Sequence, residues 1–367
     1  MLRGFSDADR EMIRDLLLEH LVAWSVQLVR YSLILTPPYT QIRMASLRNA
    51  MASIVNASKK APLIGPIQLA LYDRYWRART AREWSARYTS APLVIDGKGS
   101  PEPSLRDISS QLCTASQCVE DRYRRWCREM KSPARLARKQ WEFVYTLEAL
   151  AQSGMLAAGK RGLGFGCGGE PLSAVMAKHG CTITATDLQT AEAAEKGWVA
   201  TNEHASTLEG LNSYGICAPR QFAERVSFEF ADMNAVPDKF AGSFDFVWSC
   251  CAFEHLGSIR HGLDFVKNSA RCLKPGGVAV HTTEFNLSSN DETLEDPGCV
   301  IFRRRDMELL RDELEAEGYA VAPFNFNPGS KPVDHHIDAP PYSSSPHLKI
   351  KLEGYVATSI GLIVTKP

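Results

Sequence analysis

The sequence predicts an α/β protein with a doubly wound, mostly parallel, seven-stranded sheet, preceded by a helical N-terminal region. Three observations carry this. First, a short apolar run enters Lys160-Arg-Gly-Leu-Gly-Phe-Gly-Cys-Gly-Gly-Glu-Pro171, which has five glycines within eight residues, and Pro171 opens a helical stretch to His179. Strand, tight glycine turn and helix therefore follow one another, with proline where its missing N–H is not needed. Second, β-rich and helical runs alternate from there to the last residues, the pattern of a parallel sheet covered on both faces. Third, the periodic stretches before residue 150 have helical spacing.

The elements follow in order. Ser6 or Asp7 caps a helix that runs to about Leu35, where Pro37-Pro38 stops it, and a second helix spans about Thr40 to Lys59. Residues 66–90 interleave Tyr72, Tyr75, Trp76, Trp84 and Tyr88 with Arg74, Arg77, Arg79, Arg82 and Arg87. Such a run suits nucleic-acid stacking or a helix with aromatic residues inside and arginines outside. The balanced charge favours the helix. Residues 90–104 read as a loop, 105–131 as a helix, and 134–151 as a helix with Trp141, Val144, Leu147 and Leu150 on one face. Beyond Pro171, strands are predicted at 181–186, 226–230, 244–249, 278–283, 319–326 and 354–364, with helices at 262–273 and 307–317. Residues 327–349, rich in proline and histidine, read as a loop. A division into a helical region, 1–135, and an α/β domain, 136–367, is expected.

Composition narrows the function. The chain of 367 residues is 44% hydrophobic and 23% charged, with a formal net charge of zero and a pI near 7.1. That is a globular composition with no electrostatic case for nucleic acid or an anionic membrane. The ten cysteines form no CxxC pair, so reduced thiols in a cytoplasmic protein are expected. The N-terminus lacks the form of a signal peptide. Glu19, His20, Gln27 and Arg30 interrupt the most apolar stretch and argue against a membrane span.

Several positions suggest chemistry. Glycines at a strand–helix turn let a ligand approach the backbone and meet a helix N-terminus. Asp187 ends the next predicted strand, 21 residues after Gly166. An acid there suits ribose hydroxyls or a helix N-cap, and beside the glycine turn the ribose reading is favoured. Ala231-Asp232-Met233 follows the third strand, Phe244-Asp245 opens the fourth, and Lys274-Pro-Gly-Gly277 precedes the fifth.

With these motifs in this order, residues from about 160 to 367 resemble class I S-adenosylmethionine-dependent methyltransferases, which are Rossmann-like. Glu254-His255-Leu-Gly, His281-Thr-Thr-Glu-Phe285 and the Pro-Pro-Tyr342 loop are similar to methyltransferases of bacterial polysaccharide and small-molecule clusters. Two positions depart from the family pattern. Gly164 stands where an acid is usual, and Glu170 stands where the third glycine is usual.

The resemblance implies S-adenosylmethionine as cofactor. It places it against Gly164, Phe165, Gly166, Gly168, Glu170, Asp187, Leu188, Asp232, Met233, Ser249 and Cys250. Asp187 would hold the ribose, Asp232 and Met233 the adenine, and Glu170 would supply a carboxylate to the methionine end. His255, Glu254 and His281 are the candidate catalytic residues, acting on a hydroxyl of a sugar or other polar small molecule. Some methyltransferases of this fold hold a divalent metal through Glu-x-x-Glu-His after strand four. Here the run is Cys251-x-x-Glu254-His255, with His281, Glu284, Asp334, His335, His336 and Asp338 as further candidates. A metal is possible, but metal-free acid–base chemistry is the preferred expectation. Arg303, Arg304 and Arg305 suit either an anionic group or a solvated run. Two alternatives remain: a nicotinamide dehydrogenase, because Gly164-x-Gly166-x-x-Gly169 fits that fingerprint, and a non-catalytic binding protein on this fold.

Overall fold

The computed structural model describes residues 93, 95, 97, 99–190 and 207–367. The chain divides into two compact units, Met1–Ile64 and Gly65–Pro367. The predicted helices of residues 1–60 and the aromatic and arginine-rich run at 66–90 lie outside the described residues, as do residues 191–206.

The elements are, in chain order, β1 (Ser110–Gln111), α1 (Ala115–Cys118), α2 (Asp121–Glu129), α3 (Arg138–Gln152), β2 (Arg161–Phe165), α4 (Leu172–Lys178), β3 (Thr182–Asp187), α5 (Pro219–Arg225) and β4 (Val226–Phe230). They continue with β5 (Phe244–Cys250), α6 (Ile259–Arg271), β6 (Leu273–Asn286), β7 (Glu295–Asp296), β8 (Cys299–Val300) and α7 (Arg304–Ala316). Last come β9 (Ala320–Val321), β10 (Phe324–Asn325), β11 (Ile337–Asp338), β12 (Lys349–Leu352) and β13 (Tyr355–Thr365).

Nine strands form the main sheet, in the order β11-β12-β13-β6-β5-β2-β3-β4, with β9 also paired to β13. Its central pairs, β4–β3, β3–β2, β2–β5 and β5–β6, are parallel, and β13 runs antiparallel to β6 over Ala357 to Thr365. The seven expected strands are all present; β11 and β12 are added from the stretch read as loop. The sixth strand is shorter than the predicted 319–326. Pro323 lacks the N–H a ladder needs, so the run breaks into β9, paired with β13, and β10, paired with β1.

Two apolar layers cover the sheet. Ile183, Phe246, Trp248, Val278 and Val280 meet Trp141, Val144 and Leu147 of α3 and Leu172 to Ala177 of α4. Leu163, Phe165, Val247, Ala279 and Phe285 meet Leu263, Phe265 and Val266 of α6 and Met307, Leu310 and Leu314 of α7. Successive residues of one strand thus enter opposite layers, as the pleat requires. Tyr123 and Trp126 of α2 share the first layer with Trp141. Gly361 of β13 lets α3 pack closely, since a Cβ there would lie 2.1 Å from the Tyr145 ring.

Candidate active site

Parallel strands end at one edge of the sheet, and a ligand crevice forms where their carboxyl ends meet. The turn between β2 and α4 sits there. Gly166 and Gly168 have φ of +58° and +50°, a left-handed backbone that glycine adopts without strain. A Cβ on Gly166 would lie 2.9 Å from Ala252 Cβ and 3.4 Å from Met233 Sδ. The glycine therefore lets the turn lie close against the ends of β4 and β5, and this junction is the candidate cofactor cradle.

Asp187 clasps this turn. It is buried, its Oδ2 accepts the Gly168 N–H at 2.9 Å, and its Oδ1 accepts the Leu188 N–H at 2.8 Å. Carboxylate oxygens accept more than one hydrogen bond each, so these two bonds are compatible with ribose hydroxyls as further partners. Met233 is buried beside Gly166, whereas Asp232 is exposed and its Oδ1 caps Asn234 N at 2.8 Å.

Glu170 is also buried, and its Oε1 accepts from Trp248 Nε1 at 2.6 Å. Burial pushes its carboxyl up to about 8, against the Trp248 hydrogen bond and the charge of Lys139. The same indole explains the first departure from the family pattern. A Cβ on Gly164 would lie 2.3 Å from Trp248 Cζ2. The space of the usual acid is filled by Trp248, and Glu170 brings a carboxylate to that ring from across the turn.

At four of the expected cofactor contacts the residue is engaged away from the turn. Gly164 lies within β2, covered by Trp248, and not in the turn. Phe165 is fully buried edge-on to Phe265 and Phe240. Ser249 Oγ is fully buried 2.8 Å from His281 Nδ1, and Cys250 Sγ is buried 3.3 Å from Thr146 Oγ1 of α3. None of these side chains faces the cradle.

The candidate catalytic residues separate. His281 is fully buried under α6, its ring edge-on to Phe253 and Phe265. Ser269 Oγ donates to Val266 O at 2.8 Å and so accepts from His281 Nε2 at 3.0 Å; His281 Nδ1 then accepts from Ser249. Burial lowers this imidazole to about 3. It is a neutral core histidine, which corrects its catalytic assignment. His255 lies in a short 3-10 turn after β5, half-buried, and its Nδ1 donates to Gly298 O at 2.7 Å. Glu254 precedes it, with Oε2 accepting from Thr283 Oγ1 at 3.0 Å.

Beside Glu254 lie groups from three other places in the chain. Cys251 has φ of +51°, a conformation non-glycine residues seldom adopt. Its backbone N–H reaches Thr282 O at 3.0 Å, tying the lip of β5 to β6. Glu284 of β6 pairs with Arg138 Nη2 of α3 at 2.5 Å, and Arg138 Nη1 is 3.7 Å from Cys251 Sγ. Burial, with Glu254 and Glu142 nearby, pushes Glu284 up to about 7 against the pull of Arg138. Arg138 is the member that sequence reasoning missed. It lies 113 residues before Cys251 at the start of a helix, where an arginine carries no signal.

The other candidates lie elsewhere. Asp334 accepts from Ala115 N at 2.8 Å and pairs with buried Lys349 at 3.6 Å, and Asp338 pairs with His347 at 2.7 Å. Arg303 is held by Asp306, Arg304 by Glu308 and Arg305 by the Asp291 carbonyl. The arginine run is engaged in local pairs.

This topology, with glycine turn, strand-end acid and antiparallel last strand, defines a Rossmann-like methyltransferase domain. Residues 135–323, just over half of the chain, match the family model described as a methyltransferase domain, and the chain belongs to that family. Solved structures with similarity include one assigned as a sarcosine dimethylglycine methyltransferase from Galdieria sulphuraria, at 15% identity, covering 67% of this chain and 98% of that one, TM-score 0.40. A SAM dependent methyltransferase from Aquifex aeolicus is 16% identical, covering 60% and 89%, TM-score 0.34. The glycopeptide N-methyltransferase MtfA, solved with sinefungin, is 15% identical, covering 60% and 92%, TM-score 0.37. No curated protein sequence matches the chain. The protein is an S-adenosylmethionine-dependent methyltransferase, which sets aside the nicotinamide and non-catalytic alternatives. Among the described residues, no helix is long and apolar enough to cross a membrane.

Proposed function

We propose that the methyl acceptor is a hydroxyl of a sugar or another polar small molecule. The observation that carries this is the wall beside the cradle: Glu254, Glu284 and Cys251, with Arg138 paired to Glu284 and close to Cys251. Ala252, which a Cβ on Gly166 would crowd, adjoins Cys251, so the wall and the glycine turn share one crevice. A polyhydroxylated molecule both donates to carboxylates and accepts from a guanidinium, and this wall offers both.

The roles follow from the residues. The Gly166–Gly168 backbone and Asp187 would hold the methionine and ribose parts of the cofactor, and Met233 the adenine side. S-adenosylmethionine, when bound, supplies a methyl already made electrophilic by its sulfonium. Glu170, neutral when alone in its buried site, ionises readily beside an ammonium. Arg138 and Glu254 orient the acceptor. His255, whose Nδ1 donates to Gly298 O, is the candidate to take a hydroxyl proton. The ten unpaired cysteines support a reducing, cytoplasmic setting.

The test is product analysis. Purified protein and S-adenosylmethionine are offered matched sugars, polyols, amino sugars and amines, and methylated products are mapped by NMR. Methyl ethers are expected; methylation confined to nitrogen or carbon across the panel overturns the acceptor class.

A further inference from the structure

We propose that Cys251, Glu254 and Glu284 form a divalent transition-metal site at the lip of β5 and β6, of a kind suited to zinc. Their ligand atoms all lie within 4.8 Å of one another, and they form the only such group among the described residues. Glu254 is 0% exposed and Glu284 5% exposed. In each, one oxygen is held and the other is not. Glu254 Oε2 accepts from Thr283 Oγ1 while Oε1 is buried with no partner. Glu284 Oε1 takes Arg138 Nη2 while Oε2 is buried with no partner.

A buried carboxylate oxygen without a partner is destabilising, and here two sit together beside a thiol. Cys251 Sγ lies 3.9 Å from Glu284 Oε1, and each acid keeps one oxygen held by an outer donor and one left for an ion, the division of labour seen at metal sites. Zinc–sulfur and zinc–oxygen bonds of about 2.3 and 2.1 Å set ligand separations near 3.5 Å. The present set, within 4.8 Å, would have to close to that size on binding.

Charge gives the same answer. A thiolate and two carboxylates carry three negative charges, and Arg138 offsets one. Lys139 is engaged with Glu142 at 3.9 Å. A divalent ion brings the group to neutrality without protonating any ligand. The donor set then selects among ions. Magnesium and calcium avoid thiolate, whereas zinc accepts sulfur and oxygen together. Three protein ligands leave a coordination position open to the crevice, as catalytic zinc sites do. The left-handed backbone at Cys251 places the thiol beside both carboxylates.

The inference does not depend on the acceptor class, and its test needs no acceptor. Full-length protein purified without chelator is measured for metal content. After dialysis against EDTA it is titrated with Zn²⁺ and, separately, Mg²⁺ by calorimetry. One zinc per chain is expected, with magnesium at least a hundredfold weaker. Cys251→Ala and Glu254→Gln should each weaken zinc at least tenfold, with circular dichroism and S-adenosylhomocysteine affinity unchanged. Glu284→Gln gives a third measurement should either of those variants fail to fold. Absence of stoichiometric zinc, equal affinity for magnesium, or unaltered zinc affinity in the folded variants overturns the site.

Discussion

The two faces of β6 treat polar side chains in opposite ways. Toward α6, His281 has both ring nitrogens bonded to serines and is walled by phenylalanines. Toward α3, Glu284 lies among other acids with one oxygen unpartnered. The residues are three apart on one strand and both are buried. Burial and residue type therefore do not separate a core group from a site group; satisfaction of hydrogen bonds does. A fully satisfied histidine stabilises one packing arrangement. An unsatisfied carboxylate is destabilising until something binds.

The contrast yields predictions, the largest first. His255, on the rim of the open side, should act in chemistry and not in stability. His255→Ala is expected to lower kcat by about 10²–10⁴-fold, with S-adenosylmethionine affinity within twofold by calorimetry; near-wild-type turnover removes it from the mechanism. His281 should behave in the opposite way. His281→Ala leaves a cavity and an orphaned Ser249 hydroxyl, so a loss of about 2–4 kcal/mol by denaturant unfolding is expected, with turnover per folded molecule retained. Lost turnover at unchanged stability would break the comparison between the faces.

Asp187 joins both kinds of behaviour, since it closes the turn and faces the cradle. Asp187→Ala is expected to weaken S-adenosylmethionine by about 10–100-fold in calorimetry, the loss of one to two charge-assisted hydrogen bonds. Unchanged affinity would remove the ribose assignment.

The smallest effect concerns pH. The Glu170 carboxyl is raised to about 8 in the fold, above its value in the unfolded chain. Its neutral form is therefore favoured in the fold. That contribution is complete below about pH 4.5 and fades as pH climbs through about 8. Glu170→Gln should stabilise the cofactor-free protein by on the order of 1 kcal/mol at pH 8 and change little at pH 5. The same substitution should weaken cofactor binding. Melting curves at the two pH values decide it, and equal shifts at both would show that Glu170 is already ionised in the cofactor-free fold.

Much of this was legible in the sequence because it rests on local rules. Glycines at 166 and 168, proline opening a helix and an acid ending the next strand specify a turn within a short stretch. What stayed hidden depends on register and distance. The sheet is buried on both faces, so its strands show no polar–apolar alternation to tell the His281 side from the Glu284 side. Trp248 filling the space beside Gly164 becomes visible only once β5 is known to pair with β2. Arg138 reaches Glu284 by way of α3 lying across β13 and β6, which no spacing rule gives. The paired serines that make His281 a core residue come from β5 and α6, and neither carries a motif.

Trp248 has a consequence for how the protein can be observed. Its indole touches the edge of the cofactor cradle and donates to a carboxyl whose charge responds to what binds there. Indole emission shifts with the field of a neighbouring charge, so ionisation of Glu170 on ligand entry should alter it. The emission difference between the parent protein and Trp248→Phe would isolate this signal from the other tryptophans. The enzyme thus carries an intrinsic optical probe of occupancy, allowing cofactor arrival to be timed by stopped flow without a label.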